Sequence, residues 1–323
     1  MPVQPVAYPQ MLRTPRATTG RGVLMIVCFV AAYLGVSTVL QGGAIGWDVY
    51  RGRTSVADLM AMRLSLTPAL LVAVNLSNAA SIPLSMVLQR AFFGQRGGWL
   101  SSVTGRFRWG VLGRGALVAL PFWAAFLVLT LAGAPEPVRT PTGTYLALLV
   151  IVVLTTPLQA AGEEYGARGL ITRGAGSWFA SPRTALLVGM LLSAGVFTLA
   201  HGAGDPWLIG FYFAFAVVQS LITWRTGGLE LAVLLHTANN LVAFGSLVLL
   251  QQDTSTVFDR GAGSAGPSVL LPAAALLLSA GALWFWASRS GLRRTYAPER
   301  PALDPGSTYV GPWDLPASPT PTH

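Results

Sequence analysis

Eight apolar segments, each long enough to cross a membrane, constrain the fold of this chain more than any other feature. A helix needs about 20 consecutive, mostly apolar residues to span a bilayer, and lipid offers no hydrogen bonds to an unpaired backbone. Of the 323 residues, 53% are hydrophobic and 10% are charged, against roughly a quarter charged in a soluble domain. We therefore predict an all-α integral membrane protein, with spans at about residues 22–46, 66–89, 115–133, 144–162, 184–201, 206–224, 229–250 and 267–287.

Two of these segments carry more polar residues than contact with lipid tolerates. The second segment contains Asn75, Ser77, Asn78, Ser81 and Pro83, and the seventh contains Glu230, His236, Asn239 and Asn240. Polar side chains within spans face other helices or a cavity, because lipid cannot satisfy them. Both segments are therefore expected to turn a polar stripe toward the inside of the helix bundle.

The distribution of arginine predicts the orientation of the spans. The chain contains no lysine, so all 21 basic residues are arginine, and basic residues are enriched on the cytoplasmic side of spans. With the amino terminus inside, 16 arginines fall on the inner side and 5 on the outer side. Both termini are therefore predicted to be cytoplasmic. The net charge of +9 then reflects topology and attraction to anionic lipid, and no nucleic-acid partner is expected.

The two ends of the chain differ in composition from the apolar region. Residues 1–21 and 289–323 are rich in proline and poor in bulky apolar side chains. Segments of this composition bury too little surface to offset the entropy that is lost on ordering. We therefore predict two disordered cytoplasmic tails, which flank one polytopic membrane domain at residues 22–288.

Two adjacent carboxylates, Glu163 and Glu164, follow the fourth apolar segment. Acidic residues at a membrane span are costly and by default indicate a functional site. Adjacent residues point about 100° apart on a helix, whereas Glu164 and Arg168 are four residues apart and can pair on one face. Glu163 then remains available as a base. The alternative is that both glutamates pair with arginines at a cytoplasmic helix end.

Two histidines lie within or next to apolar segments, and each has a suitable partner at helical spacing. Phe197 and His201 share one helix face, as do His236 and Asn240. Each histidine alone is explained as a polar residue that bonds to another helix. Together with the two glutamates, however, the histidines and the asparagine have the composition of an assembled general-base site.

These residues form three short motifs in successive apolar segments. The order Glu-Glu-x-x-x-Arg, Phe-x-x-x-His and His-x-x-x-Asn resembles the signature of the CAAX-processing and bacteriocin-immunity (CPBP, or Abi) family of intramembrane proteases, which includes type II CAAX prenyl endopeptidases. The resemblance covers roughly residues 145–250, and eight spans also match it. The matching residues are Glu163, Glu164, Arg168, Phe197, His201, His236 and Asn240.

The resemblance implies hydrolysis of a peptide bond in a membrane cavity that is open to the cytoplasm. Burial makes a carboxylate a stronger base, so Glu163 would activate water. His201 and His236 would hold that water or stabilise the intermediate, and Asn240 would donate to the developing oxyanion. No cofactor is certain, although Glu163, His201 and His236 could ligate a zinc ion. The expected partners are the lipid bilayer and a peptide or membrane-anchored protein as substrate.

Two alternatives to an enzyme remain open. A non-catalytic immunity or scaffold protein would keep the same fold, and a proton-coupled transporter could use the same buried carboxylates. The predicted spans also contain a conflict, because Glu163 and His201 fall on opposite sides of the membrane. The conflict disappears if the fifth span begins deeper, with residues 174–190 forming a partly cytoplasmic helix, or if the fourth span continues past Arg168 toward Arg173.

Overall fold

The protein is a bundle of membrane-length helices. A computed structural model describes residues 1–61, 63–133, 140–252, 254 and 260–298. Within these residues, eight helical segments are long and apolar enough to cross a membrane, which confirms the predicted fold class. The segments are Thr19–Tyr50, Pro68–Phe93, Trp109–Ala132, Thr142–Gly176, Pro182–Ala200, Pro206–Thr226, Glu230–Leu249 and Pro267–Arg289.

Twelve α-helices and two short strands make up the regular structure of the described part of the chain. A π-helix at Tyr165–Ile171 and 3-10 turns at Tyr8–Gln10 and Pro267–Val269 complete it. The helices are α1 (Thr19–Tyr50), α2 (Val56–Met60), α3 (Pro68–Ala79), α4 (Ser81–Phe93), α5 (Gly98–Ser101), α6 (Trp109–Ala132), α7 (Thr142–Glu164), α8 (Thr172–Gly176), α9 (Pro182–Ala200), α10 (Pro206–Thr226), α11 (Glu230–Leu249) and α12 (Leu270–Arg289). The strands are β1 (Val6–Ala7) and β2 (Thr295–Tyr296).

The second span consists of two helices, α3 and α4, which meet at Ala80. Pro83 explains the interruption, because its ring clashes with the carbonyl group four residues earlier, that of Ala79. The polar residues of the second span face the bundle, as the sequence predicts. Asn75 is 1% exposed and donates to Thr155 Oγ1 of α7 over 2.7 Å.

The fourth span is longer than the predicted residues 144–162. Helix α7 continues through the π-helix and α8 to Gly176, past Arg168 and Arg173, both of which are buried. The sequence suggests that these arginines lie in cytoplasm, but each has a partner within the bundle. Arg168 donates to Glu164, and Arg173 donates to the side-chain oxygens of Gln89 and Gln95. Because both guanidinium groups have partners inside the bundle, the fourth span can extend past the two arginines.

This longer span removes the conflict between Glu163 and His201. Helix α9 packs along the extension, where a Cβ atom on Gly189 would lie 2.5 Å from the Thr172 carbonyl oxygen. The carboxyl end of α9 therefore reaches back toward the glutamates. Of the two arrangements that the sequence leaves open, the structure has the one in which the fourth span continues past Arg168.

The amino-terminal segment is ordered, which corrects the prediction of a disordered tail at residues 1–21. Tyr8, Met11 and Leu12 are fully buried, and the Tyr8 hydroxyl donates to the Leu100 carbonyl over 2.5 Å. Composition averaged over 21 residues conceals three large apolar side chains within five residues. Together they bury enough surface to fix this segment against the bundle.

The start of the second predicted tail is also ordered. Strand β2 pairs antiparallel with β1, with Val6 opposite Tyr296, and the Tyr296 ring packs edge-on against Trp99 at 5.4 Å. This pairing places the two ends of the membrane domain on the same side of the bundle. The rest of that tail, residues 299–323, lies outside the described residues.

Gly162 provides a test of the packing between α7 and α3. A Cβ atom at this position would lie 1.9 Å from the Asn78 carbonyl oxygen, whereas at Gly143, on the same helix, it would meet nothing within 4 Å. We expect Gly162→Ala to lower the free energy of unfolding by about 1–3 kcal/mol, because the backbones must separate. Gly143→Ala, the matched control, should not destabilise the protein. Thermal unfolding in detergent measures both, and equal melting temperatures would contradict the close contact.

Candidate active site

The two adjacent glutamates lie at the carboxyl end of α7 in different surroundings. The Glu164 side chain is fully buried, whereas that of Glu163 is 17% exposed. The turn of the helix accounts for the difference, because neighbouring side chains point about 100° apart. Glu163 is therefore the more accessible of the two carboxylates.

Glu164 pairs with Arg168 at the spacing that the sequence predicts. Arg168 Nη1 donates to Glu164 Oε1 over 3.1 Å, and both side chains are inaccessible. The Arg168 guanidinium also lies over the Phe197 ring of α9, with 4.4 Å between Cζ and the ring centre. Cation–π contacts of this kind are strongest where water is excluded. The pair thus joins the fourth span to α9.

His236 of α11 bridges the two glutamates. Its Nδ1 atom lies 2.7 Å from Glu164 Oε1, and its Nε2 atom lies 3.5 Å from Glu163 Oε2. An ionised carboxylate can only accept a hydrogen bond, so Nδ1 carries the proton in the contact with Glu164. The 3.5 Å separation exceeds a direct hydrogen bond but is within ion-pair range. His236 therefore couples the buried carboxylate to the accessible one.

His201 directly follows the last residue of α9 and packs against two aromatic rings. Its Nδ1 atom lies 2.7 Å from the Phe197 carbonyl oxygen, which can only accept, so Nδ1 carries the proton. The imidazole lies between the rings of Phe197, at 4.4 Å, and Tyr212, at 4.0 Å. Burial lowers the pKa of His201, and the negative charge of Glu163 partly offsets this effect. Because Nδ1 carries the proton in this contact, the Nε2 atom of the neutral ring is available as an acceptor.

Asn240 reaches the site through a residue that the sequence analysis missed. Asn240 Nδ2 donates to Gln159 Oε1 over 2.8 Å, and Gln159 Nε2 donates to Glu163 Oε1. The expected role of Asn240 was that of a donor to an oxyanion, whereas its amide here bonds to Gln159. The spacing could have revealed Gln159, because it lies four residues before Glu163 and shares its helix face.

The structure brings all the expected site residues into one network. Part of this network consists of aromatic rings, and the Phe197 ring lies at the centre of that part. The centre of the Phe197 ring is 6.0 Å from that of the His236 ring. Phe215 of α10 completes this part and packs edge-on against His236 at 4.9 Å. The network connects the fourth span with α9, α10 and α11. Its members predicted from sequence are Glu163, Glu164, Arg168, Phe197, His201, His236 and Asn240.

A comparison with protein families identifies the region that contains this network. Residues 143–242, about a third of the chain, match the family model described as Type II CAAX prenyl endopeptidase Rce1-like. These residues form an Rce1-like domain. The domain contains all seven residues predicted from sequence and also Gln159. The chain is a multi-pass membrane protein, and its residues 143–242 are similar to the endopeptidases that this family model describes. Comparisons with curated proteins and with solved structures each found no match.

The donor atoms of the Rce1-like domain do not form a ready metal site. In the described ranges, no three His, Cys, Asp or Glu side chains lie in an arrangement that could hold a metal ion. Glu163 and His236 are close enough to act together, but His201 does not complete a set of three with them.

Proposed function

We propose that this protein hydrolyses a peptide bond of a membrane-associated protein or peptide, with water activated by Glu163. The observation that supports the proposal most strongly is the bridge of His236 between Glu163 and Glu164. The bridge provides an accessible base beside a histidine whose orientation the buried carboxylate fixes. This is the relation between base and orienting group that general-base catalysis requires.

The reaction follows from these positions. Glu163 takes a proton from water as the oxygen of that water adds to the scissile carbonyl carbon, which gives a tetrahedral oxyanion. The oxyanion collapses, the carbon–nitrogen bond breaks, and the proton held by Glu163 passes to the departing amine. The products are a carboxylic acid, which can pass its proton to the released amine, and that amine; Glu163 returns to its starting form.

His201 would hold the attacking water. Because Nδ1 donates to the Phe197 carbonyl, the Nε2 atom of the neutral ring can accept one hydrogen of that water while Glu163 accepts the other. Tyr212 and Phe197 restrict the ring from both faces. The fixed orientation would align the oxygen of the water with the substrate carbonyl.

The proposed location is a bacterial plasma membrane with both termini cytoplasmic. The pairing of β1 with β2 supports a common side for the termini, and the arginine distribution identifies that side as the cytoplasm. His236 lies less than two turns from Glu230, at the arginine-rich end of α11. This depth supports access of substrate from the cytoplasm.

The proposal is tested with two quenched fluorescent peptides that end in a Cys-aliphatic-aliphatic-X sequence, one farnesylated on the cysteine and one not. Purified protein in detergent should cleave at least one of them, and mass spectrometry should find a single scissile bond. Cleavage of both at similar rates would indicate a substrate without a required lipid group. A folded wild-type protein that cleaves neither peptide would contradict the proposal.

His201→Ala should reduce kcat by about 10²-fold, because the attacking water loses its second acceptor. Leu199→Ala, on the same helix at a position that is 81% exposed, is the matched control and should retain wild-type kcat. A chelator should leave the rate unchanged if the side chains alone carry the reaction. A loss of activity that added zinc restores would contradict that part of the mechanism.

A further inference from the structure

Gln159 and Asn240 connect Glu163 to α11 through hydrogen bonds that run in one direction. A carboxylate can only accept, so the side-chain nitrogen of Gln159 faces Glu163 Oε1 and donates to it. Gln159 Oε1 is then the acceptor for Asn240 Nδ2 at 2.8 Å, and Asn240 Oδ1 accepts from Asn239 Nδ2 at 2.9 Å. The charge on Glu163 therefore sets the orientation of each amide.

This chain of hydrogen bonds restrains the Glu163 carboxylate. Gln159 is 5% exposed and lies one turn before Glu163 on the same helix, so its side chain has little freedom to move away. Gln159 holds the Oε1 atom of Glu163, while the Oε2 atom faces His236 Nε2 at 3.5 Å. These two contacts, one hydrogen bond and one within ion-pair range, restrict the plane of the carboxylate relative to His236.

We propose that Gln159 is a positioning residue of the proteolytic site and that Asn240 acts on Glu163 through Gln159. The inference rests on the proposed role of Glu163 as the base. The hydrogen bond from Gln159 stabilises the charged form of Glu163 and aims the carboxylate. Asn240 holds Gln159 in the orientation that donates.

The first test compares Gln159→Met with Gln159→Glu in the cleavage assay with the farnesylated peptide. Gln159→Met keeps the approximate shape of the side chain and removes the donor, which should lower kcat about 10–100-fold while KM changes less than about threefold. Gln159→Glu keeps the shape more closely but places a second negative charge beside Glu163. We therefore expect a larger loss of kcat for Gln159→Glu than for Gln159→Met.

The pH profile provides a readout that a purely structural role would not change. Loss of the donor makes the charged form of Glu163 less favourable, so protonation occurs at higher pH. The acidic limb of kcat/KM should move upward by about one pH unit in Gln159→Met and further in Gln159→Glu. If Gln159 only fills space, Gln159→Glu should lower kcat less than Gln159→Met does, and the acidic limb should stay in place in both variants. That result would overturn the proposal.

The second test asks whether Asn240 acts through Gln159. Asn240→Leu alone should lower kcat, but in the Gln159→Met background it should cause less than about a threefold further loss, since the path is already broken. Independent donation by Asn240 to the oxyanion predicts instead that the two losses multiply. Multiplied losses would overturn the role assigned to Asn240.

A matched control separates these effects from general damage to the bundle. Gln219 of α10 is also buried and donates to a backbone oxygen, that of Ala232, over 3.1 Å. Gln219→Met should keep kcat within about threefold of wild type and leave the acidic limb in place. Thermal unfolding of every variant confirms that the folded protein is being assayed.

The outcome for Glu163 itself distinguishes failure of this inference from failure of the proposed function. If Glu163→Gln stays active, the base is misassigned, whatever the Gln159 variants do. If Glu163→Gln is inactive while Gln159→Met and Gln159→Glu keep the wild-type kcat and pH profile, only the positioning role of Gln159 fails.

Discussion

Glu163→Gln should reduce peptide hydrolysis by about 10²–10⁴-fold, the contribution of a general base. The substitution keeps the shape of the side chain and removes its ability to take a proton from water. Because Glu163 is partly exposed and glutamine can still bond to Gln159, the fold should be retained. The effect should therefore fall on kcat, with little change in KM or in melting temperature.

The measurement is the initial rate of cleavage of the farnesylated peptide by equal amounts of folded protein. Asp58→Asn is the matched carboxylate-to-amide control, since Asp58 lies in an exposed capping interaction with Ser55 at α2. This control should leave the rate at the wild-type level. Retention of more than about a tenth of the wild-type rate by Glu163→Gln would rule out Glu163 as the base.

The second large expected effect is a loss of stability when the buried ion pair of Glu164 and Arg168 is broken. Glu164→Gln should lower the free energy of unfolding by about 3–5 kcal/mol, because it leaves the Arg168 charge uncompensated where no side-chain surface is accessible. Arg168→Met should lower the free energy of unfolding by a similar amount, because it leaves the buried Glu164 charge without its partner. Each variant should also lose activity, because His236 is oriented by the ionised Glu164.

The double variant Glu164→Gln/Arg168→Met separates stability from catalysis. It contains no unpaired charge at this position, so much of the lost stability should return. Activity should stay low, because His236 Nδ1 no longer faces a charged acceptor. Thermal unfolding and peptide cleavage on the same samples measure the two effects. Wild-type stability in both single variants would contradict the description of a buried ion pair.

An exposed ion pair provides the comparison for this prediction. Arg63 and Asp58 lie 3.5 Å apart, and their side chains are 71% and 41% exposed. Solvent screens such pairs, so they contribute little to stability. Asp58→Asn should therefore leave the melting temperature almost unchanged, in contrast to Glu164→Gln.

The π-helix between α7 and α8 helps to explain how one helix carries both the glutamates and Arg168. Residues Tyr165–Ile171 form this wider turn directly after Glu164, and π-helical turns often occur at functional sites. Gly166 faces Phe29 of α1 within this turn, and a Cβ atom at this position would lie 2.5 Å from that ring. Local packing around the turn therefore restricts where Arg168 can be placed.

The sequence alone determined the class of fold and predicted the candidate site residues that the structure brings together. Hydropathy was sufficient for eight helical spans, because a backbone in lipid has few ways to satisfy its peptide groups. Spacing of four residues was sufficient to pair Glu164 with Arg168 and Phe197 with His201. Residues four apart stay close here even though Arg168 lies in the π-helix and His201 directly follows α9.

Only the tertiary structure decided where the fourth span ends and how the amino-terminal segment packs. Arg168 and Arg173 resemble the boundary of a span in sequence, but partners on other segments make their burial possible. The order of Tyr8 depends on Leu100, which lies 92 residues away. Sequence composition does not contain such contacts.

The partner of Asn240 was likewise decided by the tertiary structure. The motif spacing places Asn240 near His236 but does not reveal its hydrogen-bond partner, which is Gln159 on a different helix. The sequence thus indicated the candidate site residues, because helical pitch and the cost of charge in lipid act locally. The fold decided which of them meet, because packing between helices joins residues that are distant in the chain.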